Sequence, residues 1–340
     1  MTTKYDVVIV GAASLIGREI ISCMEENGFA YNKVYAVDSD KYIGREISFG
    51  EKQVLKVEQL EKFDFSKVKV VFFTCPSYIT AEYLVQAEDN NCLIFDLSSY
   101  TVDNSLVPCM INGCNTDNIH QKSSIIAIPL APAYMIAKTL KNIHDLLGIT
   151  SCNIAGYESV SKYGKEAMDE LFSQTKSVFM NQQHEPAILP KKIAFNVIPF
   201  SDDINNTGYT DYEEVVIKEI KKIISPSLSV NYTSVTVPAF AGVGCLVDVE
   251  LESDTTIENI KEIISQQADI AIIEDTSEVI AISLTDVVHE DSIFISRLRM
   301  NLGKSNKFCF WLAADNLRKC SAYNAIEVAN NFLNTTGIIN

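Results

Sequence analysis

A chain of 340 residues is long for a single hydrophobic core and sets the expectation of two domains. With 47% hydrophobic and 21% charged residues, it is neither disordered nor fibrous. The 28 basic side chains stand against 44 acidic ones, and the formal charge of −16 argues against nucleic acid or an anionic membrane surface as a partner.

The nine cysteines include no Cys-x-x-Cys pair, and several lie in apolar runs such as residues 91–95 and 308–311. They read as small buried hydrophobes in a reducing compartment. The start, residues 1–6, runs straight into a strand without a basic or apolar leader, and no apolar run has the length of a membrane span. The expectation is a cytoplasmic protein.

In chain order, residues 5–10 form a continuous apolar strand of the kind buried on both faces, ended by Gly11. Helical spacing over 15–27 stops at Gly28, and a second strand spans 33–38. A strand over 68–74, a helix from about 80 to 89, a strand over 92–97 and a strand over 124–128 follow. Strands alternating with helices at this spacing predict βαβ units and a doubly wound parallel sheet, an α/β dinucleotide-type domain. The strand at 125–128 turns into a helix that starts near Pro132, where the missing N–H of proline costs nothing. Such a turn, at the carboxyl end of a strand, is where α/β enzymes place nucleophiles, and here it carries Ala131.

The second half reads differently. Helices are expected at 134–147, 165–178, 212–224 and 257–266. Extended segments are expected at 152–160, 228–237, 245–251, 270–273, 279–284, 293–300 and 308–315. Grouped strands with few helices predict an α+β domain with a mixed sheet, and a long helix over 316–334 closes the chain. The boundaries expected are 1–130, with 316–334 returning to it, and 131–315.

Gly11-Ala-Ala-Ser-Leu-Ile-Gly17 follows the first strand and opens the first helix. Gly11 and Gly17 fill the first and third roles of a dinucleotide fingerprint, with Ser14 near the middle one. Asp38, at the end of the second strand, is placed to meet a ribose 2′-hydroxyl, while Lys41 pulls toward a 2′-phosphate. The turn reads equally as a nucleotide cradle or as a tight strand–helix connection.

At this point the chain resembles the aspartate-semialdehyde dehydrogenase family nearly end to end. The residues that carry the likeness are the 11–17 turn, Asp96-Leu-Ser-Ser99, Ile193 to Pro199, Gly208-Tyr-Thr210 and Val237-Pro238. The longest run is Ala314-Asp-Asn-Leu-Arg-Lys319, preceded by Trp311 and followed by Asn324-Ala. The resemblance implies a Rossmann domain, an α+β domain for catalysis and dimerisation, a homodimer, and an NADP or NAD site. That site would be formed by Gly11, Ala12, Ala13, Ser14, Leu15, Ile16 and Gly17 with Asp38, Lys41, Thr74, Ser98 and Asn316. The chemistry it implies is reductive dephosphorylation of an acyl phosphate in amino-acid biosynthesis, through a cysteine thiolate and a histidine acid/base.

The chain departs from that pattern where the chemistry sits. The family's cysteine falls on Ala131, its histidine on Val243 and its supporting glutamine on Glu158. The arginine that grips the substrate carboxylate falls on Thr236, and the one that grips phosphate on Val102. A lysine falls on Val215, although the glutamate two residues earlier is kept as Glu213, and the nicotinamide-side Gly-Gly falls on Pro76-Ser77. Losing both arginines leaves nothing to hold a dianion bidentately. The pattern most resembles the Usg-type branch, which also lacks the cysteine, and implies a pseudoenzyme. The alternative is an oxidoreductase acting on an aldehyde or acyl substrate through a different residue set. Cys245, on the strand face of Val243, reads as core rather than nucleophile. His120, His144, His184 and His289 have no metal-ligand spacing, so no metal is expected.

Overall fold

The computed structural model describes residues 4–50, 53–116, 123–200, 202–267, 269–274 and 282–336. The chain divides into two compact units, Met1–Leu130 with Ser321–Asn340, and Ala131–Cys320. The first contains β1 (Tyr5–Val10), α1 (Leu15–Glu26), β2 (Tyr31–Asp38), β3 (Glu46–Phe49) and β4 (Gln53–Lys56). It continues with β5 (Glu58–Gln59), β6 (Val70–Phe73), α2 (Ser77–Asp89), β7 (Leu93–Asp96) and β8 (Ile125–Ala127). The second contains α3 (Ala131–Leu147), β9 (Ile149–Glu158), α4 (Lys165–Phe179), α5 (Asp211–Ile223), β10 (Ser229–Thr236) and β11 (Val243–Leu251). After these come α6 (Ile257–Ser265), β12 (Ile270–Ile272), β13 (Ile293–Met300) and β14 (Lys307–Ala314). The last helix, α7 (Asn324–Thr336), belongs to the first unit.

In the first unit all six strands of the main sheet are parallel, in the order β5-β2-β1-β6-β7-β8. Taken in chain order these strands run 3-2-1-4-5-6, the doubly wound order, with its switch point between β1 and β6. Strands buried on both faces need apolar side chains throughout, which is why β6 reads Val-Val-Phe-Phe and every residue of it is buried. Phe72 stacks on Phe95 with ring centroids 5.0 Å apart. The same core takes in Ala325, Ile326, Ala329 and Phe332 of α7. Full burial of each large side chain contributes about 1.5–3 kcal/mol.

The second unit carries a mixed sheet, β10-β9-β11-β14-β13-β12. Its outer pairs, β10 with β9 and β12 with β13, are parallel, and the pairs between them are antiparallel. Helix α3 packs on β9, β11 and β14 and against α5 and α6. Side chains therefore alternate along β11: Val243, Cys245, Val247 and Val249 are wholly buried, while Leu246 between them is 40% exposed. Beside this sheet, buried Glu170 and Gln174 of α4 take the amides of Ala187, Ile188, Leu189, Ile193 and Ala194, pinning the loop that follows.

The fold class is the expected one, an α/β parallel domain plus an α+β unit with a mixed sheet, but several elements differ. The hairpin β3–β4 has no counterpart among the expected strands: its four-residue alternation, burying Ile47 and Phe49, is too short to stand out. The closing helix does not run unbroken from 316. Asp315 Oδ1 accepts from the amides of Leu317 and Arg318, and its carbonyl accepts from Cys320 five residues on. This winds Arg318–Tyr323 as a π-helical turn before α7 begins. The first helix of the second unit begins at Ala131, one residue before the Pro132 expected near its start, and α2 begins at Ser77, three residues before the expected 80, because Pro76 precedes it as N-cap. Of the strand expected over 279–284, residues 279–281 lie outside the described residues, and 282–284 are not in a strand.

Candidate functional site

The first unit presents the Gly11–Gly17 turn at the switch point. Gly11 has φ +86°, and a Cβ there would stand 2.8 Å from the backbone nitrogen of Cys75. A Cβ on Gly17 would overlap the Gly11 carbonyl oxygen, so both glycines are required by close backbone approach. Ser14 is the N-cap of α1. Its Oγ accepts from Gly17 N at 2.9 Å and donates to the Thr74 carbonyl at 3.2 Å, so the hydroxyl is spent on the fold. Gly11 N and Ala12 N bond Val37 O, Ser14 N bonds Gly11 O, and Ala13 N bonds Asp38 Oδ2 at 2.9 Å. The amides of Leu15 and Ile16 meet no acceptor among the described residues. Two such donors at the positive end of a helix fit a phosphate group.

Asp38 is 9% exposed and also accepts from Ser39 N at 2.7 Å. Lys41 lies exposed on the following turn, its Nζ 5.0 Å from the centre of the Tyr42 ring. Thr74 Oγ1 donates within the turn, to the carbonyls of Val10 or Gly11. Burial pushes the neighbouring Cys75 thiol up to about 12, with the charges of Asp96 and Asp38 adding to the rise. Ser98 does not stand free. With Thr101 it supplies four hydrogen bonds to the fully buried Asp96 carboxylate, folding the 97–101 turn that carries the half-buried, uncharged Val102.

In the second unit, strand register brings distant residues together. Thr236 pairs with Glu158, Glu158 with Val243, and Val243 with Ala314, so one rung crosses β10, β9, β11 and β14. Side chains on a rung share a face, with neighbouring Cβ atoms about 4.5–5.5 Å apart. Glu158 is 2% exposed, and its Oε1 accepts from the hydroxyls of Tyr212, at 3.0 Å, and Tyr232. Oε2 meets no hydrogen-bond donor among the described residues. Tyr232 reaches Glu158 by lying over Gly156, where a Cβ would overlap its hydroxyl. Burial first, then the charge of Glu158, holds both phenols well above their ordinary range, so they act as neutral donors.

Lys162, just past β9, completes the cluster. Its Nζ lies 3.0 Å from Asp202 Oδ2, 3.1 Å from the Tyr163 hydroxyl and 3.3 Å from the centre of the Tyr212 ring. Burial works to lower the Lys162 ammonium, but the charges of Glu158, Tyr163 and Asp202 outweigh it, and the net shift is upward. Tyr163 in turn lies 3.4 Å from Thr236 Oγ1. Sequence reasoning missed Lys162, Tyr163, Asp202, Tyr212 and Tyr232, since only register and helix packing bring them to Glu158. The available signal was Gly156 two residues before Glu158, a strand glycine marking close approach.

The remaining expected residues are committed elsewhere. Glu213 forms a capping box with Thr210 at the start of α5, and its Oε1 accepts from Ser234 N at 2.7 Å. Val215 is apolar and half-buried on the same helix. Asn316 accepts from Gly242 N and donates to Ser161 Oγ, tying down the turn before Val243. Ala131 is the first residue of α3 and offers a methyl group. Cys245 is fully buried, and burial, with Glu158 and Cys320 beside it, pushes its thiol far from the thiolate. His120 lies outside the described residues. Among those described, no group of three or more His, Cys, Asp and Glu side chains could hold a metal ion.

Two family models match: "Semialdehyde dehydrogenase, NAD binding domain" over residues 6–122, and "Semialdehyde dehydrogenase, dimerisation domain" over 140–319. An aspartate-semialdehyde dehydrogenase of Rickettsia bellii is 36% identical over 337 residues, covering 98% of this chain and 99% of its own. The chain belongs to the aspartate-semialdehyde dehydrogenase family. Among solved structures, aspartate semialdehyde dehydrogenase II from Vibrio cholerae superposes with a TM-score of 0.92 at 27% identity, covering 98% of this chain and 99% of that one. The Candida albicans family member solved with NADP shares the fold, with a TM-score of 0.74 at 13% identity over 99% of this chain and 100% of that one. The family therefore accounts for the doubly wound unit and for the mixed-sheet unit alike. The second unit instead holds Glu158 among tyrosines beside the Lys162–Asp202 pair, and the sequence has no arginine from residue 131 to 296.

Proposed function

We propose that this chain is a cytoplasmic, homodimeric, Usg-type paralogue of aspartate-semialdehyde dehydrogenase that binds a nicotinamide nucleotide and has lost acyl-phosphate reduction. The observation that carries the proposal is the rung. Where the family chemistry would need an arginine and a histidine flanking Glu158, this chain has Thr236 and Val243. With Ala131 at the head of α3, neither a thiolate nor an acid/base pair is left for thioacyl formation. If bound, the nucleotide would supply hydride; the residues at hand to hold it are the Leu15 and Ile16 amides and Asp38. Homodimer formation is supported by the sheet face opposite α3, where half-exposed Tyr157 and Trp311 pack with centroids 5.5 Å apart beside the 40% exposed Leu246.

The test pairs calorimetry with NAD(H) and NADP(H) with turnover assays on aspartyl phosphate and on the semialdehyde. Nucleotide binding without turnover is expected. Turnover abolished by thiol alkylation would overturn the proposal.

A second reading, an oxidoreductase on an aldehyde or acyl substrate, is favoured by one feature. The Glu158 carboxylate has Oε1 fixed by two phenols and Oε2 unbonded, one strand from the position of the lost histidine. On this reading, Glu158→Gln abolishes nucleotide-dependent reduction of a panel of small aldehydes while leaving nucleotide affinity unchanged. If no aldehyde in the panel is reduced by the unmodified chain, the reading fails.

A further inference from the structure

We infer that this chain selects NAD(H) over NADP(H), and that Asp38 makes the selection; the inference rests on the reading that the first unit binds a nicotinamide nucleotide. Three observations carry it. Asp38 is the last residue of β2, the strand beside β1, so its carboxylate stands at the carboxyl end of the sheet next to the glycine turn. It is fixed there rather than mobile: Oδ2 accepts from Ala13 N at 2.9 Å and Oδ1 from Ser39 N at 2.7 Å. A carboxylate offers about four acceptor sites, so one remains on each oxygen, enough to take the two hydroxyls of an adenosine ribose.

The second observation is the charge around that point. A 2′-phosphate would bring close to two negative charges against Asp38, which is 9% exposed and so poorly screened by salt. Asp40 lies on the next turn with its Oδ1 held by Gln59, and Asp96 acts on Cys75 from the other side of the switch point together with Asp38. Lys56 of β4 reaches this corner at Gly44, and the turn itself carries two further cations, Lys41 and Arg45. Both are exposed, and both lie over the Tyr42 ring, Nζ of Lys41 at 5.0 Å and Cζ of Arg45 at 4.6 Å. Exposed cations on an aromatic face are screened by solvent, whereas the inner carboxylate is not.

The third is the tie between the acid and the turn itself. The Ala13 amide that Asp38 holds belongs to the phosphate-facing loop, so the loop shape and the ribose acid are set together. Replacing Asp38 with a residue that keeps the amide contact but not the charge should therefore change selectivity without unfolding the turn.

The experiment is calorimetric titration of the full chain with NADH and with NADPH, repeated on Asp38→Asn, whose side-chain oxygen can still accept from Ala13 N. Competition with AMP and with adenosine 2′,5′-bisphosphate isolates the adenosine end. The unmodified chain is expected to prefer NADH by at least about tenfold, equivalent to about 1.4 kcal/mol, and AMP over the bisphosphate in the same sense. Asp38→Asn is expected to close most of that gap; its oxygen keeps the Ala13 contact while its NH2 meets Ser39 N, so its melting temperature falls but the titrations still saturate. Equal or tighter binding of NADPH by the unmodified chain overturns the inference. A preference for NADH that survives in Asp38→Asn removes Asp38 as its cause and overturns it too. Binding of neither nucleotide removes the underlying reading, and is told apart from the other failures by the flat titrations with both cofactors and both adenosine probes.

Discussion

Gly156→Ala tests the buried cluster with a single methyl group. The new Cβ would stand 2.6 Å from Cζ and 2.9 Å from Cε2 of Tyr232, a ring with no exposed surface. The ring cannot swing toward solvent, so it must shift off the Glu158 carboxylate. Losing one hydrogen bond to a charged group costs about 1.5–3 kcal/mol. Overpacking a filled core adds about 1–3 kcal/mol, so the sum is on the order of 3–5 kcal/mol. Urea unfolding followed by near-ultraviolet circular dichroism, which reports the tyrosines, measures the loss. A double-mutant cycle with Tyr232→Phe then isolates the mechanism. If the methyl acts by displacing the phenol from Glu158, the two changes overlap, and their combined cost falls short of the sum by about 1 kcal/mol or more. A Gly156→Ala loss below about 1 kcal/mol, or strict additivity with Tyr232→Phe, would show that the Tyr232–Glu158 contact does not hold this end of the sheet in the way described.

Stability should fall as the pH rises above about 9. The Cys75 and Cys152 thiols are pushed to about 12 by burial, and Tyr212 and Tyr232 are held well above the ordinary phenol value. Below their unfolded values both states keep these protons and nothing is lost. Above them the unfolded chain releases protons that the folded chain retains, so each such group lowers stability by about 1.4 kcal/mol per pH unit until its folded value is reached. Lys162, also raised, is lost in the same direction. A urea midpoint that stays level from pH 9 to 11 would contradict these assignments. Thiol labelling gives a simpler check: eight of the nine cysteines are buried and Cys114 is half-buried, so a disulfide reagent at pH 8 should titrate about one thiol quickly and nine after denaturation. Rapid reaction of a second thiol in the native chain would count against the burial of Cys75, Cys152 and Cys245.

Much of the first unit is legible in the sequence because its determinants are local. An apolar run such as Val-Val-Ile-Val, the glycine that ends it and the helical spacing that starts at residue 15 are read without knowing what packs on them. Their order also carries the parallel sheet, since strands alternating with helices leave few other topologies. The same local reasoning falls short at the hairpin of Ile47 and Phe49, where four residues hold too little pattern. It falls short again at 316, where the Asp315 side chain competes for backbone amides and bends the helix start into a π turn.

What tertiary structure alone decides is the company each polar residue keeps. Thr236, Glu158 and Val243 are as many as 85 residues apart, and only the pairing register of β10, β9 and β11 sets them on one rung. Tyr232 can reach the Glu158 carboxylate because Gly156 leaves room, and Lys162 keeps its charge because Asp202, Tyr163 and Glu158 surround it. A sequence names the side chains; burial and register decide which charges are desolvated together, and the energy of a charge depends on that environment far more than on its neighbours in the chain. The identities Ala131, Val102, Thr236 and Val243 belong to the sequence by itself. The tyrosine-bound carboxylate beside Val243, and the inner carboxylate of Asp38 beside the glycine turn, are decided by the fold.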